Sequence, residues 1–157
     1  MEDENAPVQE LLEAKLEPVV LPAFVGFFTG VITALILEKY PGIFSWIYSG
    51  YLENVFTLQV ILLFTIPSGY LISIFQSRKY NLNQIEMFSG ILVFIVFGCM
   101  MSFAMGCGFL LIILLWLWAS LYWWRYELPS FRLGMWYSMG ICSSAMLGNL
   151  LMYNLNT

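Results

Sequence analysis

The chain has 157 residues, 61 % of them hydrophobic and 10 % charged, with a mean hydropathy of +0.80 and a formal net charge of −4. Ordinary soluble domains carry about a quarter charged residues, and a single domain of this size leaves much of its surface in water, so lipid is the solvent this composition calls for. Only 6 lysines and arginines argue against a nucleic-acid footprint, and the lack of histidine removes the usual proton shuttle, the usual haem ligand and the commonest metal ligand together.

Residues 1–17 form an acidic segment in which Glu2, Asp3, Glu4, Glu10, Glu13 and Glu17 face a single Lys15. A transit peptide is Arg-rich and poor in acids, and a secretory signal opens on positive charge, so neither is expected here. Val8, Leu11, Leu12 and Leu16 fall at helical spacing among the acids, which predicts a short amphipathic helix ended by Pro18.

Four stretches then carry no charge: Pro18–Leu37, Asn54–Ser77, Met87–Trp124 and Leu133–Thr157. One crossing of the hydrocarbon takes roughly 20 apolar residues. The first, second and fourth stretches each suit one crossing, whereas the third is about twice as long as one helix needs. Met105-Gly106-Cys107-Gly108 in its middle allows a tight turn. The predicted helices are therefore 18–38, 55–77, 87–105, 108–125 and 131–153. They make residues 18–157 an all-α, polytopic transmembrane bundle of five crossings. One long, tilted or broken helix over 87–124 is the alternative. Five crossings place Lys15, Arg78, Lys79, Arg125 and Arg132 on one side and Lys39 alone on the other, while four would divide the positive charge evenly. The excess of positive charge inside favours five, with a cytoplasmic N-terminus. A bacterial or archaeal inner membrane, an endoplasmic reticulum and a plasma membrane fit equally well.

The connections look interfacial. Residues 41–54 hold Phe44, Trp46, Tyr48 and Tyr51, side chains that favour the headgroup layer, and Trp123, Trp124 and Tyr126 around Arg125 suit the opposite interface. Asn83 with Glu86 resembles a capping box opening the third helix, and Pro129-Ser130 a start signal for the fifth.

Small residues recur at four-residue spacing. Gly26, Thr29, Gly30 and Thr33 form one face of the first helix. Gly98, Ser102 and Gly106 line the third, and Gly140, Ser144 and Gly148 the fifth, with Gly134 and Ser138 as a parallel row. Helices in a bilayer associate through close backbone approach across such residues. Intramolecular packing is favoured for these faces, with an interface to another subunit as the alternative. The fourth helix is bulky throughout Phe109–Trp118 and is expected at the periphery.

The second helix contains Thr65-Ile66-Pro67-Ser68-Gly69 near its middle and Gln59 two turns earlier. An interrupted helix at mid-membrane is one way to build a solute site, so Gln59, Thr65, Pro67, Ser68 and Gly69 are the candidate solute residues. A packing kink is the simpler reading of the same proline. Cys99, Cys107 and Cys142 lack metal-type spacing and read as small interface residues. Glu38, Glu53, Glu86 and Glu127 fall at predicted helix ends. No nucleophile has a base beside it; no catalytic, metal or cofactor residues are assigned. Two functions stay open. One is a non-catalytic structural or assembly subunit of a larger membrane complex, with a hetero-complex favoured over a homo-oligomer. The other is a small oligomeric channel or transporter.

Overall fold

The computed structural model describes residues 6–40, 53–104, 108–123 and 128–156. They form α1 (Ala6–Lys39), α2 (Glu53–Tyr80), α3 (Gln84–Ala104), α4 (Gly108–Trp123) and α5 (Ser130–Asn156), with no strand among the described residues. The aromatic segment over 41–52, the glycine turn at 105–107 and the belt residues Trp124, Arg125 and Tyr126 lie outside the described residues.

Contacts between named residues fix the direction of each helix. Thr29 meets Ser68 while Glu17 meets Gln76 and Lys79, so α1 and α2 are antiparallel. Tyr70 packs on Phe88 and Gly98 lies near Leu62, so α2 and α3 are antiparallel too. A Cβ on Gly98 would lie 3.4 Å from Ile112 Cδ1. In one unbroken helix these residues would stand about 21 Å apart along the axis. The chain therefore folds back between α3 and α4, and an uninterrupted helix over 87–124 is ruled out. Trp123 and Ser120 of α4 meet Trp136 of α5, a further reversal. The helices alternate, and α1, α3 and α5 run parallel.

The fifth helix is the hub and packs against all four others. From Trp136 to Met146 every residue is buried. A helix can be covered all round only if its side chains leave room for several neighbours, and Ser138, Gly140, Cys142, Ser143, Ser144 and Ala145 do so. The core clusters are centred on it: Trp136, Met139, Cys142 and Met146 join Leu62, Ile91, Phe94, Ile95, Ile112 and Ala119, while Tyr137 and Ile141 join Ile72 and Met87. The bulky α4 sits at the edge, with Leu114, Leu117, Trp118 and Leu121 exposed.

Local signals at the helix ends act in detail. Asn81 adopts φ 52°, a left-handed conformation that asparagine tolerates, and Leu82 N–H donates to Ser77 O at 3.0 Å, which closes α2 in a Schellman motif. Asn83 Oδ1 then accepts from Ile85 N and Glu86 N at 3.1 and 3.4 Å to open α3. The reciprocal half of a capping box is not supplied by Glu86: Asn83 N donates to Ser130 Oγ instead, at 3.2 Å. At α5 itself, Pro129 O accepts from Leu133 N.

The expected break at Pro18 is absent. The amphipathic segment and the first apolar stretch form one helix, α1, that continues through Pro18 and Pro22. Each proline forfeits a backbone hydrogen bond, at a cost of about 3 kcal/mol in a helix interior. Both are buried. Together with Gly26 and Gly30 they make a row at four-residue spacing along the inner face of α1, and Pro22 packs against the Gly140 position of α5. Tertiary packing overrides the local signal. Likewise α2 runs on through Pro67 without interruption.

The residues from Glu17 to Lys39 are long and apolar enough to cross a membrane, with a mean hydropathy of 2.3 and only 22 % of the apolar window buried within the molecule. Gln84–Gly98 within α3 and Leu110–Trp123 within α4 are shorter apolar stretches. Among the described residues the all-helical class and five helices are thus established, and one helix meets the requirements of a crossing by length and composition.

Candidate functional site

The small-residue faces are consumed inside the molecule wherever they are described. A Cβ added to Gly26 would lie 2.7 Å from Ile141 Cα, and one on Gly30 2.8 Å from Ala145 Cα, both closer than real Cβ atoms come. Gly148 lies in the same manner against the backbone of Phe27 and Val31. Ser144 Oγ completes the α1–α5 seam, donating 2.6 Å to Gly140 O and lying 3.2 Å from Pro22 O. Thr33 is buried and donates back to Thr29 O.

The third helix makes its close approach elsewhere than at the predicted row. A Cβ on Gly98 would meet only the tips of Ile112 and Leu62 at ordinary distance. The side chain of Ser102 and all of Gly106 lie outside the described set. Backbone contact between α3 and α5 is instead made at Gly90 against Phe131 and at Gly134 against Met87, and Ser138 Oγ donates to Ile91 O at 3.2 Å. Gly90 has no small residue four positions on either side, so the repeating pattern could not reveal it.

The candidate solute residues of α2 do not converge. Thr65 is buried toward α5, near Cys142, and donates to Leu62 O. Ser68 turns to α1, where its hydroxyl lies 2.8 Å from Thr29 Oγ1. Gly69 faces α3, 2.7 Å from Ile91 Cγ2 for an added Cβ, and Pro67 is exposed. The side chain of Gln59 lies outside the described set. Within five positions of α2 these residues are thus divided among α5, α1, α3 and the outer surface.

A different site emerges between α1 and α2. Glu17, Leu21 and Val25 form one stripe of α1, and Ser68, Leu71, Ile72, Phe75, Gln76 and Lys79 the facing stripe of α2. Together they line a groove of about 560 Å³. The Thr29–Ser68 hydroxyl pair closes its deep end. A polar node closes its mouth: Glu17 Oε1 accepts from Gln76 Nε2 at 2.8 Å, and Glu17 Oε2 from Lys79 Nζ at 2.7 Å and from the Tyr80 hydroxyl. The Glu17 and Lys79 side chains are 21 % and 58 % exposed, so the node meets solvent. The carboxylate beside it holds the Lys79 ammonium above its usual range, and burial helped by the same carboxylate raises the Tyr80 phenol.

One wall of this groove is unsatisfied. Gln76 is 2 % exposed and its Oε1 has no hydrogen-bond partner among the described residues. A carboxylate accepts only, so Glu17 dictates that the NH₂ end of the amide faces it, and Oε1 is left as a free acceptor. Trp116 Nε1 and Ser143 Oγ are the other buried polar atoms without a partner among the described residues.

The node was legible in part. Glu17 stands at the N-terminal end of the first apolar stretch and Arg78-Lys79 just past the C-terminal end of the second, so antiparallel neighbours bring opposite charges to one level. What could not be read was that α1 and α2 are neighbours. Among the described residues no group of three or more His, Cys, Asp or Glu is arranged to hold a metal ion. Compared with protein-family models, curated proteins and solved structures, the chain matches none.

Proposed function

We propose that this protein is a multi-pass membrane protein whose five alternating helices each cross the bilayer, and that it acts as a non-catalytic structural subunit of a larger membrane complex. The crossing is supported by the surface. Phe24 and Phe28 of α1, Leu71 and Phe75 of α2, Val96 and Met100 of α3, Leu114 and Leu121 of α4, and Leu150 and Leu155 of α5 are all exposed. Water-soluble monomers rarely leave apolar side chains open around their whole circumference. Glu38, Lys39, Arg78, Lys79, Glu86 and Arg132 stand near helix ends, where they reach water, and Glu17 stands inside α1 at the start of its apolar segment Glu17–Lys39.

The observation that carries the structural role is a sealed interior. Thr65, Ser73, Ser138 and Ser144 are buried, and each hydroxyl donates to a backbone carbonyl. They join helices or satisfy turns and do not line a path. Since the small-residue faces are occupied within the chain, a partner subunit would meet the bulky outer side chains. The test is native mass in mild detergent, with identification of copurifying chains. Stoichiometric foreign subunits are the expected outcome, and a bare monomer or a homo-oligomer would sink the reading.

The channel or transporter reading has one observation in its favour, the α1–α2 groove with the Thr29–Ser68 hydroxyls at its deep end. If it holds, Ser68→Leu abolishes solute flux in reconstituted vesicles and leaves assembly intact.

A further inference from the structure

We infer that the groove between α1 and α2 is a binding site for one phospholipid with a primary-amine headgroup, drawn from the leaflet on the Glu17–Lys79 side. The inference rests on the membrane reading above. Three features of the groove carry it.

The first is length. From Lys79 at the mouth to Ser68 at the deep end the groove follows α2 for twelve residues, about 16 Å for the rises of 1.5 Å between them. A hydrocarbon core about 30 Å thick gives each leaflet about 15 Å. The groove thus begins at a polar interface and stops one leaflet deep. Its body is lined by Leu21, Val25, Leu71, Ile72 and Phe75, and Leu71 and Phe75 are exposed, which leaves it open sideways to lipid.

The second is charge. The mouth presents a carboxylate and an ammonium, and the Lys79 ammonium extends into solvent. A zwitterionic headgroup is complementary to this pair, with its phosphate on Lys79 and its own ammonium on Glu17. The third is the vacant acceptor Gln76 Oε1. Leaving a buried acceptor unmade costs about 1–3 kcal/mol, and an N–H donor from the headgroup satisfies it. A quaternary choline headgroup has no N–H and cannot. Among zwitterionic headgroups this selects an amine-bearing lipid over choline.

The test uses the full chain reconstituted in vesicles of equal parts phosphatidylethanolamine, phosphatidylcholine and phosphatidylglycerol, then extracted in mild detergent for native mass spectrometry of retained lipid. The wild type should retain one phosphatidylethanolamine, enriched about tenfold over the other two. Gln76→Leu should lose that preference, and Leu71→Trp, which fills the open rim without touching the core, should reduce retention of every lipid. Circular dichroism and the thermal midpoint confirm that both variants fold. Equal retention of ethanolamine and choline lipids overturns the inference, as does preference for phosphatidylglycerol, or enrichment that both variants keep. Failure to incorporate into vesicles, with the chain dispersed in detergent-free buffer, would overturn the membrane reading itself. That outcome is distinct from incorporation without lipid selectivity.

Discussion

At the scale of single residues, glycine positions with the same composition differ sharply in what surrounds them. Gly30 lies on the backbone of Ala145, which cannot give way, whereas Gly98 faces two flexible side-chain tips. Gly30→Val is therefore expected to cost about 2 kcal/mol or more by forcing α1 off α5, read as a lower thermal midpoint in detergent. Gly98→Ala should be neutral or raise the midpoint, because alanine is favoured over glycine in a helix interior by about 1 kcal/mol. Equal sensitivity at the two sites would contradict the described packing. Spacing alone places both residues on small faces. It cannot say which face finds backbone and which finds side chains, because that depends on the neighbour, and Gly90 shows that an isolated glycine can serve as well as a repeated one.

At the scale of elements, prolines that read alike as breaks behave according to their surroundings. Pro18 and Pro22 are both buried, Pro22 against Gly140 of α5, while Pro67 is exposed on a helix that stays continuous. Pro67→Ala restores a backbone donor and loses no described contact. It should leave assembly unchanged and stabilise α2 by up to about 3 kcal/mol, visible as a higher melting temperature. A lower one would mean that the proline's bend is required for packing. The end of α2 supplies the converse case. Asn81 at φ 52° tolerates a conformation that costs most L-residues roughly 1–2 kcal/mol. Asn81→Val should destabilise by about that amount and Asn81→Gly should not, as urea titration of the detergent-solubilised protein would show.

At the scale of the whole molecule, alternation of the helices brings Glu17, Lys79, Tyr80, Asn83 and Ser130 to one end. The five-crossing reading then makes a sidedness prediction. In oriented vesicles, single cysteines replacing Lys79 and Arg132 in a cysteine-free background should react with a membrane-impermeant maleimide from the same side, and a cysteine replacing Lys39 from the other. Labelling of all three from one side would contradict five crossings. The native-mass experiment addresses function at this same scale, because a subunit is defined by what it assembles with.

The sequence by itself determined the all-helical class and where the apolar runs lie, since both follow from where charge is missing and how long each run lasts. Those are local properties, readable without knowing any neighbour. That 87–124 folds back as two helices and that the acidic segment runs on into α1 came from the tertiary structure. Only the tertiary structure decided that α5 is the buried hub, that a row of two prolines and two glycines belongs to one continuous α1, and that Glu17 stands against Gln76 and Lys79. The physical reason is common to all three. Helix adjacency is settled by many weak contacts summed over whole faces, each worth about 0.1–0.2 kcal/mol, and no single stretch of chain carries that sum. The candidate groove exists only in the space between two such neighbours.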